Sequence, residues 1–228
     1  DGSEIAYTYT TTIIDDNSEM VEKTINSTTT SRNILEGMDV LIVAVEDPYY
    51  GYYYNHSLLE NELLLLGATF YIHFCNLSDE ILSDNDVLLV WDYWISSMSN
   101  SEDYELINQW VYNGGNLIID GDGYVGGNCI GQYNEILNGS GIFMNSIDQI
   151  EEDGIFTTDI TDHPVTIGIS EFYFGNSIVA DLTISGSALS LIRYIDGSDH
   201  LAISEYGGGR ILVVADETFD DGALDNLD

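Results

Sequence analysis

Short apolar runs recur along the middle of the chain. Each is nearly continuous, which is typical of a strand buried on both faces of a parallel sheet. Predicted strands of this kind occupy residues 39–45, 69–74, 86–92 and 116–122.

Two segments between these runs have the composition of helices. Residues 56–67 end at Gly67, with Ser57 as the expected N-cap, and residues 101–115 begin at Ser101 and stop at an Asn-Gly pair. Strands alternating with helices predict an α/β fold with a parallel, doubly wound sheet.

Beyond residue 140 the pattern becomes β-rich. Short strands separated by Gly and Asp turns are predicted at 177–184, 190–195, 200–206 and 209–216. The last of them is strongly apolar again, so we expect it to rejoin the parallel sheet.

The N-terminal segment has a different pattern. Residues 4–14 alternate like a half-buried strand, and the polar stretch after them is interpreted as a linker, so no hairpin partner is expected. We divide the chain into an N-terminal strand and linker (1–34) and an α/β domain (35–228). A lone strand is unstable, which leaves three possible partners: the domain's own sheet edge, a preceding domain or a neighbouring subunit. We predict docking outside the α/β core, in a chain that is a segment of a larger protein.

The charge balance is extreme, with 40 acidic and 4 basic residues and a net charge of −36. Such a surface repels nucleic acids and anionic membranes, and no apolar run approaches the length of a membrane helix. The acids have three interpretations: a hydration shell in high salt, ligands for divalent cations such as Ca²⁺, or a means of solubility.

Asparagine sequons favour an extracellular or cell-surface glycoprotein. The chain has four, at Asn26, Asn55, Asn76 and Asn138. Its two cysteines, Cys75 and Cys129, fit either one disulfide or two buried thiols.

Acidic residues gather at the predicted carboxyl ends of the parallel strands, which meet at one rim of the sheet. Carboxylates crowded there would repel one another unless a cation such as Ca²⁺ neutralised them. The alternative is that each carboxylate caps a local turn. The candidate metal ligands are Asp47, Asp92, Asp120, Asp122, Asp216 and Glu217.

Aromatic residues follow the first and third strands at the same rim. Tyr and Trp there offer rigid contact area for a sugar, a peptide or a protein partner, or they pack beneath loops. The candidates are Tyr49, Tyr50, Tyr52, Tyr53, Tyr54, Trp91 and Trp94.

Several ordered segments, among them "DVLIVAVEDPYYG", "INQWVYNGGNLIIDGDG" and "ITDHPVTIGIS", resemble the class I glutamine amidotransferase-like superfamily, and most closely its domains in surface and trafficking proteins. The resemblance implies a Cys at the turn after the fourth strand, with a His and an acid downstream. Here that turn reads Asp120-Gly121-Asp122-Gly123, and Cys129 lies several residues later. His163 precedes a proline in an expected structural turn, and His200 falls on a strand edge. The resemblance therefore implies a three-layer, flavodoxin-like α/β sandwich with a mainly parallel sheet, without the Cys-based activity.

We interpret the chain as a non-catalytic structural or interaction module that self-associates or binds neighbouring domains of a larger surface protein. Ca²⁺ is the one cofactor considered. The alternatives are a hydrolase that uses Asp120 or Asp122, with or without a metal, and a carbohydrate-binding module that uses the Tyr-rich loop.

Overall fold

The structure of the chain is a computed structural model that describes residues 4–14, 20–30, 35–43, 57–73, 77–91, 100–121, 129–145, 155–174 and 180–215. The helices are α1 (Ser57–Leu65), α2 (Asp79–Ser83), α3 (Ser101–Tyr112) and α4 (Cys129–Ile136), and a 3₁₀ turn covers Pro164–Thr166. The strands are β1 (Glu4–Ile14), β2 (Met20–Thr30), β3 (Asp39–Val43), β4 (Thr69–His73), β5 (Val87–Trp91), β6 (Asn116–Asp120), β7 (Ile142–Met144), β8 (Ile155–Thr157), β9 (Phe172–Phe174), β10 (Leu182–Ile184), β11 (Leu189–Arg193), β12 (Asp199–Tyr206) and β13 (Gly209–Val214).

Nine strands form one mixed sheet in the order β4-β3-β5-β6-β13-β12-β10-β7, with β11 also paired to β12. The first five strands in that order run parallel, and the pairs from β13 to β7 are antiparallel. The last apolar strand, β13, pairs in parallel with β6. This confirms that it rejoins the parallel sheet after the β-rich segment.

Alternate residues of the parallel strands enter cores on opposite faces of the sheet. Leu41 and Val43 belong to a core that α3 and α4 cover, whereas Val40 and Ile42 pack with residues of α1. All four side chains are buried. Two cores on the two faces of one sheet confirm the α/β sandwich, because strands buried on both sides need apolar residues at every position.

The observed helix boundaries refine the predicted caps. Asn100, and not Ser101, is the N-cap of α3, because its side chain accepts hydrogen bonds from the backbone N–H groups of Glu102 and Asp103. The helix ends at the predicted Asn-Gly pair, where Gly114 has a φ of 124° that suits glycine. Ser57, the other expected cap, is already the first residue of α1.

The prediction that the N-terminal strand lacks a hairpin partner is wrong. β1 pairs with β2 along its whole length in an antiparallel register that runs from Glu4 opposite Thr30 to Ile14 opposite Met20. The Thr-rich stretch interpreted as a linker has the β-branched residues that favour strands, and Thr faces Thr across the pair. This two-stranded sheet is separate from the nine-stranded one. Pairing within the chain removes the argument that β1 requires a partner elsewhere, while the boundary at residue 34 stays a prediction.

Candidate functional site

The parallel strands end at a common rim, as predicted. Val43, at the end of β3, lies opposite His73 and Val90 in the ladder, and Asp120 lies opposite Trp91 and Val214. The backbone N–H of Gly121 continues the row by donating to the carbonyl of Val214 at 3.2 Å. The five carboxyl ends are therefore aligned side by side.

Asp120 is the one predicted metal ligand within the described residues. It is the last residue of β6 and is 0% exposed, so the fourth predicted strand places a buried carboxylate at the rim. Asp47, Asp92, Asp122, Asp216 and Glu217 lie outside the described residues. Asp92, Asp122 and Asp216 follow described strand ends by one or two residues in the sequence. In the described parts of the chain, no three His, Cys, Asp or Glu side chains group as metal ligands.

The other predicted site residues are only partly described. Trp91 ends β5 directly beside Asp120 in the ladder, Asn26 pairs with Thr8 within the hairpin, and Cys129 opens α4. Asn138 is exposed in the turn after α4. Outside the described residues lie Tyr49, Tyr50, Tyr52, Tyr53, Tyr54, Trp94, Asn55, Asn76 and Cys75.

The buried carboxylate of Asp103 accepts hydrogen bonds from two separate places along the chain. Asp103 is 3% exposed in the first turn of α3. Its Oδ1 accepts a hydrogen bond from the backbone N–H of Leu77, and its Oδ2 accepts one from that of Asn100, both at 3.0 Å. These two residues resume the described chain after the segments 74–76 and 92–99, which follow β4 and β5 in the sequence. Asp103 therefore holds Leu77 and Asn100 together at one helix N-terminus.

In the antiparallel part of the sheet, His200 of β12 lies beside the carboxyl end of β13, at the same rim. The backbone N–H of Ala215 donates to the carbonyl of His200 at 2.8 Å, and that of Ala180 donates to Ala215 at 3.1 Å. His200 was predicted at a strand edge. It lies instead in an interior strand and is 4% exposed, with its ring 5.2 Å from those of Phe174 and Tyr194.

A hydrogen-bonded chain links this histidine to the surface. Asp196 Oδ1 accepts from the backbone N–H of Ser198 at 2.8 Å and from its hydroxyl at 2.6 Å, and the same hydroxyl oxygen lies 2.9 Å from His200 Nε2. The hydrogen bond from the Ser198 side chain lowers the pKa of Asp196. Since an ionised carboxylate only accepts, the hydroxyl hydrogen points to Asp196 and Nε2 donates to Ser198.

That direction is the reverse of a catalytic triad, in which the imidazole accepts the proton of the serine. Burial lowers the pKa of His200 below its ordinary value, although the Ala180 backbone and the carboxylates of Asp196, Asp181 and Asp199 act in the opposite sense. The Asp196–Ser198–His200 chain is therefore a structural anchor of the β11–β12 turn.

The side chain of His163 also has a structural role. His163 Nδ1 accepts from the backbone N–H of Val165 at 3.2 Å, at the start of the 3₁₀ turn that Pro164 opens. This confirms the structural turn expected from the "DHPV" segment.

No protein-family model and no curated protein matches the chain. Among solved structures, the mmIFT52 N-terminal domain is 14% identical with a TM-score of 0.60, over 82% of this chain and 90% of that domain. A glutamine amidotransferase from Thermotoga maritima is 8% identical with a TM-score of 0.56, over 80% of this chain and 76% of that one. A putative GMP synthase protein from Thermoplasma acidophilum is 10% identical with a TM-score of 0.55, over 81% of this chain and 85% of that one. The chain therefore has the α/β fold of class I amidotransferase-like proteins, and identities of this size show the fold alone.

Proposed function

We propose that this chain is a non-catalytic, extracellular interaction module of a surface layer, a filament or a large secreted protein. It would belong to an amidotransferase-like branch without the nucleophilic cysteine. The observation that carries the proposal is the end of β6, where a fully buried Asp120 occupies the strand terminus that precedes the expected nucleophile turn. No Cys, Ser or Thr lies within residues 117–124.

A carboxylate can act as a nucleophile in principle, as in glycoside hydrolysis. It must then contact the substrate, and Asp120 has no accessible surface through which to do so. The described histidines with assigned partners, His163 and His200, are committed to a turn and to Ser198. This disfavours the hydrolase alternative.

We further propose that Ca²⁺ binds at the rim and stabilises the module. Asp92, Asp122 and Asp216 follow, by one or two residues in the sequence, strands whose carboxyl ends are aligned, and Ca²⁺ prefers six to eight oxygen ligands. A net charge of −36 makes two copies repel, so a bridging or neutralising cation is the expected condition for self-association.

Sedimentation velocity with EDTA, Mg²⁺ or Ca²⁺ tests the proposal on the full chain, together with a thermal scan under the same conditions. We expect Ca²⁺ to raise both the melting temperature and the sedimentation coefficient. The double variant Asp92→Asn/Asp216→Asn should lose the response. The matched control, Glu36→Gln/Glu135→Gln, removes the same charge from exposed positions away from the rim and should keep it.

Enzymatic hydrolysis by the chain would contradict the proposal of a non-catalytic module. Turnover of glutamine or aryl glycosides that disappears in Asp120→Asn, combined with no response to Ca²⁺, would overturn the proposal in favour of the enzyme. Binding of oligosaccharides by the Tyr-rich loop, lost when Tyr52 and Tyr53 are replaced by Ser, would favour the carbohydrate-binding alternative.

The extracellular assignment rests on the sequons. Asn138 is exposed in the turn after α4, so a glycan there would project into solvent. Intact-mass measurement on native material should show a sugar on at least one of Asn26, Asn55, Asn76 and Asn138. An unmodified mass would contradict the assignment.

A further inference from the structure

The connection between β8 and β9 displays apolar side chains to solvent. Within residues 163–169, here called the apolar turn, Val165 is 41% exposed, Ile167 75% and Ile169 40%. Phe156 in the adjoining strand β8 is 57% exposed and has its ring 4.7 Å from that of Tyr173. Scattered exposed apolar residues are ordinary, but a concentration of them in one short segment marks an interaction site.

The apolar turn is held rigidly by polar contacts that face inward. Thr166 is 5% exposed. Its hydroxyl lies 2.6 Å from the carbonyl of Thr161 and 3.0 Å from that of His163, and it accepts from the backbone N–H of His163 at 3.1 Å. Pro164 restricts the backbone at the first position of the 3₁₀ turn. The three aliphatic side chains are therefore presented from a preformed backbone, which lowers the entropy cost of binding.

The connection is also fixed to the main sheet. The backbone N–H of Thr161 donates to the carbonyl of Leu191 at 2.7 Å, and that of Arg193 donates to the carbonyl of Asp159 at 3.0 Å. Ile160 forms a bridge to Ile192 and packs against the core around it. Fold stability thus depends chiefly on the inward residues, and Ile167, the most exposed of the three aliphatic residues at 75%, contributes little to it.

Exposed acidic residues lie on both sides of the apolar turn in the sequence. Asp159, Asp162 and Glu171 are all exposed and flank it in the chain. The nearby Arg193 is already paired, with its Nε 3.0 Å from Asp199 and its Nη1 3.6 Å from Asp159. An apolar surface within an acidic border suits an apolar segment that carries Lys or Arg at its edges.

We propose that the apolar turn is a docking surface for a cationic amphipathic peptide segment of a partner protein. A second copy of this chain is the wrong occupant, because it has only 4 basic residues against 40 acidic ones. The inference rests on the proposed function and names a surface and a partner chemistry distinct from the Ca²⁺-dependent rim.

The test uses a fluorescein-labelled helical peptide of Leu and Lys, about 18 residues long, with its Leu residues on one face. An isomer with the same composition but scattered Leu residues serves as the peptide control. Binding to the full chain is followed by fluorescence anisotropy at about 150 mM salt, which screens long-range attraction to the acidic surface.

The triple variant Val165→Ser/Ile167→Ser/Ile169→Ser keeps the net charge unchanged, so it isolates the apolar contribution. We expect it to weaken binding at least about tenfold, since each buried aliphatic side chain contributes on the order of a factor of ten. Leu64→Ser and Phe143→Ser change aliphatic and aromatic residues that are 56% and 52% exposed elsewhere, and they should stay within about twofold of wild type.

A second pair of variants tests the acidic border. Asp162→Asn/Glu171→Gln should weaken binding more than the equally charged control Glu36→Gln/Glu135→Gln. The single variant Ile167→Ser, at the most exposed position, should reproduce part of the loss even if the triple variant folds poorly. Peptide binding should also slow backbone hydrogen exchange in residues 160–172.

Equal affinity of the wild type and the triple variant, or equal affinity for the two peptide isomers, would overturn this inference. Either result would show that the peptide responds to net charge alone. Neither would affect the Ca²⁺-dependent association or the absence of turnover, so failure of this inference is distinguishable from failure of the proposed function.

Discussion

Replacing Asp103 tests whether one buried carboxylate holds the backbone at Leu77 and Asn100 against the start of α3. In Asp103→Ala, the backbone N–H groups of Leu77 and Asn100 each lose an acceptor at 3.0 Å, and α3 loses its capping box. Hydrogen bonds to a charged group contribute about 1.5–3 kcal/mol each. A carboxylate in the first turn also interacts favourably with the helix dipole.

These contributions predict a loss of about 3 kcal/mol or more in the free energy of unfolding. For a chain of this size that corresponds to a melting temperature lower by about 6–12 °C. Urea unfolding followed by circular dichroism measures the free energy, and a thermal scan measures the shift. Asp103→Asn, which keeps one acceptor oxygen, should lose about half as much.

Charge requires its own control, because removing any carboxylate from a chain of net charge −36 relieves repulsion. Glu102→Ala removes an exposed carboxylate from the neighbouring position of the same helix turn. We expect it to change stability by no more than about 0.5 kcal/mol. If Asp103→Ala is as stable as Glu102→Ala, the two buried hydrogen bonds contribute no net stability and the reasoning is wrong.

Two further predictions concern the buried histidine and a glycine contact. Because burial lowers the pKa of His200 in the folded state, the unfolded chain binds its proton first, so stability should fall as the pH drops below about 6.5. His200→Phe should remove this slope in urea unfolding measured from pH 7.5 to 5, and an unchanged slope would contradict it. A Cβ added at Gly209 would clash with the carbonyl oxygen of Gly115, whereas one added at Gly131 in α4 meets nothing within 4 Å. Gly209→Ala should therefore cost about 2 kcal/mol or more, and Gly131→Ala should stabilise by about 0.5–1 kcal/mol; equal melting temperatures would refute the predicted contact.

The parallel half of the fold was predictable from the sequence because each of its strands has its own run of apolar residues. The runs that became β3, β4, β5 and β6 are apolar at successive positions, which is the signature of burial on both faces. The strong apolar run of β13 was likewise sufficient to predict its return to the parallel sheet.

Short elements and polar strands escaped prediction from the sequence. α2, α4 and the three-residue strands β7, β8 and β9 are too short to show a period. The polar, Thr-rich strand β2 was mistaken for a linker because its pairing with β1, and not its own burial, makes it a strand. Cross-strand pairing is a property of two segments together, so composition along one segment does not reveal it.

The sequence by itself determined that carboxylates and no Cys, Ser or Thr follow the fourth parallel strand, and that the surface is strongly acidic. Tertiary structure alone decided that Asp120 is wholly buried and that the hydroxyl of Ser198 is directed towards Asp196. It also decided that Val165, Ile167 and Ile169 face solvent while Thr166 between them is buried. The physical reason is that the exposure of a side chain and the direction of its hydrogen bonds depend on which distant segments pack around it. Those segments come together only when the chain folds.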